Sequence, residues 1–172
     1  MRITIGQAKP GDILIFKGEG QPFGILSKCL KFFEPTWDGW GWHMATLTQL
    51  RLDDGKWEYI EATDHGLDLN YGYLNGDNVR VYRWFNSPPM PDAIKVWVKN
   101  HLGLPYDVAI YFWTAASYIA RHFWNKPVPY LLDNRYSCWE AVFKFCKDMG
   151  KPIPSKHDCP TLIDFLKTQG EA

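Results

Sequence analysis

His43-Met44-Ala45-Thr46-Leu47-Thr48-Gln49-Leu50 and Trp57-Glu58-Tyr59-Ile60-Glu61-Ala62 flank the turn signal Asp53-Asp54-Gly55. Such an arrangement predicts an antiparallel hairpin. Upstream, Asp12-Ile13-Leu14-Ile15-Phe16 is a short apolar run entered through Pro10-Gly11, which reads as a buried strand. Downstream, Val79 to Trp84 alternates Val79, Val81 and Tyr82 with Arg80 and Arg83, and makes a fourth strand. Between the first strand and the hairpin, Pro22 to Phe33 has helical spacing, with Ile25, Leu26, Cys29, Leu30 and Phe33 on one stripe, and Glu34 to Gly41 reads as a loop.

After Pro88-Pro89-Met90-Pro91 the pattern changes to helices. The first covers Asp92 to Leu102 and stops at Gly103. Asp107 caps the next, which runs to about Phe123 and is apolar almost all round, as in a central core helix. A third spans Cys138 to Met149 and ends at Gly150, and a last one spans Pro160 to Gln169 with proline in its first turn. Strands first and helices after them predict an α+β fold, a small antiparallel sheet packed against helices.

The 172 residues suit one domain, 1–172, with a sizeable core. Acidic and basic residues balance at 19 each, which argues against a nucleic-acid partner or an anionic bilayer. Cys29, Cys138, Cys146 and Cys159 show no CxxC spacing and no zinc pattern, so reduced thiols and no metal are expected. The N-terminus lacks the apolar core of a signal peptide, and the Val108 to Ala120 stretch is shorter than the ~20 residues of a spanning helix. A cytoplasmic location is the default expectation, with no transmembrane segment; oligomeric state is left open.

Chemistry enters at Tyr136-Ser137-Cys138-Trp139-Glu140. Ser137 and Glu140 have the spacing of a capping box, which makes Cys138 the first helical residue. There, free backbone N–H groups and the helix dipole favour an anion, and a neighbouring histidine strengthens the effect. The alternative is a small buried hydrophobe. His43 and Glu61 supply candidate partners. They differ by an even number of positions, so a hairpin folded about residues 52 to 54 with an even register puts both side chains on one face. A thiol, an imidazole and an acceptor that fixes the imidazole tautomer form the set that thiol acyl transfer needs. His65 competes with His43 for the imidazole role, Cys146 and Cys29 read as core, and Cys159 as structural. His101, His122 and His157 read as solvated or capping.

The ordered set Pro10 to Phe16, Trp42-His43-Met44-Ala45-Thr46-Leu47, Tyr59-Ile60-Glu61-Ala62, Pro105-Tyr106-Asp107 and Tyr136 to Glu140 resembles the circularly permuted branch of the NlpC-type papain-like superfamily, the YiiX- and YaeF-like amidases. The likeness extends from about residue 10 to residue 166. It implies a papain-like fold with Cys138 as nucleophile, His43 as general base and acid, and Glu61 as the residue that orients His43. It also implies that Tyr136 lies near the site, assigned here to oxyanion binding alongside the Cys138 N–H. Family members commonly have small residues where Trp42 and Trp139 stand, so these indoles would narrow or reshape the cleft.

The resemblance implies a cysteine hydrolase of amide or peptide bonds working through a thioacyl intermediate without a cofactor, with bacterial cell-wall peptides as the first substrate expectation. Without a signal peptide, such an enzyme would reach the wall by lysis or in a phage particle. A lipid acyltransferase or thioesterase of the lecithin:retinol acyltransferase type shares the permuted order, but those relatives tend to carry histidine where Glu61 stands. The third reading is an inactive binding module. In it the loop holding Trp37, Trp40 and Trp42 recognises a glycan or a partner; the same loop could equally wall a cleft, dip into lipid or pack on the domain's own core.

Overall fold

The computed structural model describes residues 1–17, 40–50, 54–107, 109–124, 135–153, 165–166 and 168–170. Six strands form one antiparallel sheet: β1 (Arg2–Ile3), β2 (Ile13–Lys17), β3 (Trp40–Leu50), β4 (Trp57–Thr63), β5 (Gly66–Gly72) and β6 (Val79–Tyr82), in the order β1-β6-β2-β3-β4-β5. Among the described residues, the helices with defined bounds are α1 (Pro91–His101), α2 (Ala109–Trp124) and α3 (Cys138–Asp148). The α+β expectation is met. β3 begins at Trp40, inside the segment read as loop, and β1 and β5 went unread. The helix expected over 22–33 and most of the one over 160–169 lie outside the described residues.

The register of the β3–β4 hairpin changes partway along. Near the turn the pairs are Leu50 with Trp57 and Gln49 with Glu58; beyond a bulge they are Leu47 with Tyr59, Thr46 with Ile60 and Ala45 with Glu61. The extra residue is Thr48, which is buried. Its hydroxyl donates to Glu58 Oε1 at 2.6 Å, while the Gln49 amide donates to Glu58 Oε2 at 3.0 Å, so one carboxylate clasps both residues at the bulge. Without that residue the turn-side register would carry on and set Glu61 opposite Thr46. A slip of one residue turns a strand's side chains to the other face. The bulge therefore brings Glu61 to the face that carries His43.

β2 is central, paired with β3 on one side and β6 on the other, which explains its unbroken apolar run. Its alternate residues feed two cores. Ile13 and Ile15 join Met44, Ile60 and Ala62 against Ile94, Trp97 and Val98 of α1 and Val142, Phe145 and Cys146 of α3. Leu14 joins Ala45, Leu47, Val79 and Val81 in the second. The expectation of a fully buried α2 is not met. Ser117 and Ala120 are buried and Trp113 is half-buried, but Ala109, Ala116, Ile119, Phe123 and Trp124 are exposed. α1 and α3 already contribute to the helical side of the first core, and among the described side chains of α2 those turned inward are Trp113, Ser117 and Ala120.

Backbone contacts join the sheet to the start of α3. The Leu67 N–H donates to Leu104 O and the Gly103 N–H to Leu67 O, both at 2.8 Å. Gly66 permits this approach: its φ is +107°, and a Cβ there would lie 2.6 Å from Leu104 O. The next residues pair with the strand-like segment before α3, through Tyr136 N–H to Pro105 O at 3.0 Å and Asp107 N–H to Tyr136 O at 3.3 Å. Asp107 then caps α2 by accepting from the Ala109 N–H at 2.9 Å. Two short motifs of the sequence are thus one hydrogen-bonded unit.

Asp12 ties down the front of the sheet. It is buried and accepts from Arg83 Nε at 3.0 Å, Arg83 Nη2 at 2.8 Å and the Lys9 N–H at 2.7 Å. A two-pronged guanidinium–carboxylate pair is among the stronger polar contacts. Removing one partner of a buried pair costs roughly 3–5 kcal/mol, and Arg83, still 21% exposed, places this pair near the lower end. Asp12→Ala is expected to reduce the urea-unfolding free energy by about 3 kcal/mol, the lower limit of that range, with the m-value unchanged.

Candidate active site

The start of α3 has the local structure that its sequence asks for. Ser137 has extended backbone and accepts from the Glu140 N–H at 3.4 Å, and Glu140 Oε2 accepts from the Ser137 N–H at 2.8 Å. This capping box leaves Cys138 as the first helical residue, a free thiol and buried. Cys146 lies further along the same helix, also free and buried, and burial pushes its thiol far up, so it stays neutral. Position on the helix separates the two cysteines: Cys138 stands at the first helical position, at the positive end of the helix dipole, and Cys146 lies further along.

His43 on β3 reaches both candidate partners. Its Nε2 meets Glu61 Oε2 at 2.5 Å. Its ring also lies close enough to the Cys138 side chain for the two to interact electrostatically, and with Nε2 committed to Glu61 the nitrogen left for the thiol is Nδ1. Phe16, paired with His43 across β2 and β3, packs a tilted ring 5.5 Å from the imidazole and limits its swing. Glu61 is itself buried, and its second oxygen, Oε1, accepts from Asn70 Nδ2 at 2.7 Å.

Electrostatics follow the geometry. Burial on its own would lower the His43 pKa, but the charge and hydrogen bond of Cys138, together with those of Glu61, prevail and raise it to about 10. For Glu61, burial works toward the neutral acid; the hydrogen bond and charge of His43 and the Asn70 amide overcome it and hold the carboxyl below its ordinary range. Tyr59, beside Glu61 on the strand, has its phenol pushed up by burial and by the Glu61 charge. The arrangement favours an imidazolium at His43 beside a carboxylate at Glu61.

The other expected residues are distributed as follows. Tyr136 precedes the capping box, and its ring stands edge-on to His101 with centroids 6.4 Å apart. Trp139 is buried in the core shared by the sheet and α3. Trp40 and Trp42 lie on β3, with side chains outside the described residues, as are Trp37, Cys29, Cys159 and His157 entirely. His65 is highly exposed and 3.7 Å from Asp64, so it is not the imidazole brought to Cys138. His101 bonds the Trp97 carbonyl one turn back at 2.7 Å, a capping contact. Asn70 was missed because β5 was not read as a strand. Leu67-Asp68-Leu69-Asn70-Tyr71 does alternate with period two, which is the signal that would have found it.

Among the described residues, no group of three or more His, Cys, Asp or Glu could hold a metal ion, and no helix is long and apolar enough to cross a membrane. No protein-family model matches the chain, and no curated protein matches it.

A raised histidine pKa is also a stability statement. The His43 imidazolium adds stability that is present in full below pH 6.5 and is lost as pH rises toward about 10. Followed by NMR of its ring nitrogens, His43 is expected to remain protonated at pH 8. Cys138→Ala removes the leading upward influence and should lower the midpoint; an unchanged midpoint would contradict the pairing.

Proposed function

We propose that the protein is a cysteine-nucleophile hydrolase of the papain-like class, cleaving an amide or peptide bond through a thioacyl intermediate. The observation that carries this reading is the convergence of three side chains: His43 Nε2 meets Glu61 Oε2 at 2.5 Å, and the same imidazole interacts electrostatically with Cys138 at the start of α3. A half-buried histidine paired with a carboxylate is common in proteins; one that also lies beside a cysteine at a helix start has the parts of an activated nucleophile.

In the proposed reaction the Cys138 thiolate attacks the acyl carbon, and the Cys138 backbone N–H, with Tyr136, receives the negative charge that develops on oxygen. The tetrahedral adduct collapses as His43 Nδ1–H protonates the departing amine, leaving a thioester on Cys138 and a neutral imidazole. Water then attacks the thioester while the imidazole takes its proton. The acid departs, and the thiolate–imidazolium pair is restored. Glu61 stays ionised and keeps Nε2–H pointed at itself, which directs Nδ1 toward the thiol.

Cell-wall stem peptides are the first substrate class, on the strength of the resemblance to permuted NlpC-type amidases, and the carboxylate at Glu61 accords with that branch. A second reading, acyl transfer from lipid, is favoured by one observation: Ile119, Phe123 and Trp124 of α2 present apolar surface to solvent. The two are separated by mass spectrometry of Cys138 after exposure to stem peptides or to phospholipid. A peptidyl adduct with amine release is expected. A long-chain acyl adduct from phospholipid would shift the assignment to the lipid branch.

Cys138→Ala is expected to fold normally and to lower amide turnover by at least about 10³-fold, as removal of a nucleophile does elsewhere. Wild-type turnover by Cys138→Ala would contradict the mechanism.

A further inference from the structure

We propose that Asn70 is a positioning residue for the Cys138–His43–Glu61 site, acting through Glu61; this rests on the reading of that site as catalytic. Asn70 lies on β5, opposite Tyr59 and diagonal to Glu61 across the β4–β5 pair, so the two side chains share a face. The amide donates from Nδ2 to Glu61 Oε1 at 2.7 Å. Its orientation is fixed from both ends. Oδ1 accepts from the Tyr71 N–H at 2.8 Å, and a carboxylate can only accept, so the NH₂ group must be the part that faces Glu61.

This contact matters because Glu61 has two oxygens and only one serves His43. A carboxylate held on one side alone can turn and offer either oxygen, or move toward water. Held on Oε1 by Asn70, it presents Oε2 to His43 Nε2, and the His43 ring is fixed in the orientation that leaves Nδ1 for Cys138. Asn70 also helps to hold the Glu61 carboxyl ionised despite burial. The role does not depend on the core: Asn70 is exposed, and its neighbour Asp68 deals with the strand edge in the same way, accepting from the Leu69 N–H at 2.7 Å. Replacing Asn70 should therefore leave the fold intact.

The test compares wild type, Asn70→Ala and Glu61→Gln by three measurements: the urea midpoint, the His43 ring titration by NMR, and the rate of Cys138 alkylation by iodoacetamide across pH. For Asn70→Ala the urea midpoint is expected to be unchanged, the His43 midpoint to fall, and alkylation near pH 6 to slow by roughly tenfold, the scale of one charge-assisted hydrogen bond. Glu61→Gln should move the last two measurements further in the same direction. If Asn70→Ala matches wild type in titration and alkylation while Glu61→Gln does not, the role of Asn70 is overturned and the site reading stands. If neither variant moves them, both are overturned. A fall in urea midpoint with an unmoved His43 titration would reduce Asn70 to a strand-edge residue and overturn the inference.

Discussion

Strand register is the constraint on which the candidate site depends. His43 and Glu61 lie on adjacent strands, and whether they meet is decided by one residue, Thr48, bulged out of β3 and clasped with Gln49 by the Glu58 carboxylate. Bulges re-aim side chains at the cost of one ladder position. Here the consequence is that a buried carboxylate gains a histidine partner; on the opposite face it would meet the apolar core between sheet and helices, where an unpaired charge is costly.

The second half of the assembly is backbone. β5 holds Leu104, the segment after Leu104 holds Tyr136, and Tyr136 leads into the capping box that starts α3 at Cys138. No side chain along this path has to be large or charged. What it requires is Gly66 in a conformation open to glycine, so that strand and connection approach closely. The thiol and the imidazole come together from opposite halves of the chain because both halves are anchored to the same sheet. Once there, Cys138 and Glu61 together outweigh desolvation and raise the His43 pKa.

Much of this was legible in the residues. The Asp-Gly turn signal, the alternation on either side of it and the Ser137/Glu140 spacing are local patterns, and local patterns survive folding. The even separation of His43 and Glu61 implied a shared face, which holds near the site, although the turn-side pairs follow the other parity and only the bulge reconciles them. No residue type announces a bulge. Two other features were hidden for related reasons. β5 alternates, but with Asp68 and Asn70 at every second position and glycine at both ends it is a polar edge strand, so neither it nor Asn70 stands out in the sequence. α2 is apolar on most faces, yet its exposure depends on what else occupies the core, and that is a tertiary matter its own sequence does not carry.

The measurement that goes most directly to the account is the pH dependence of Cys138 alkylation by iodoacetamide, resolved by mass spectrometry, in wild type and in His43→Ala. Wild-type Cys138 is expected to be alkylated readily at mildly acidic pH, and that reactivity to disappear without His43. The same pH profile in both proteins would mean that the contact between His43 and Cys138 does not activate the thiol, and would contradict the central claim.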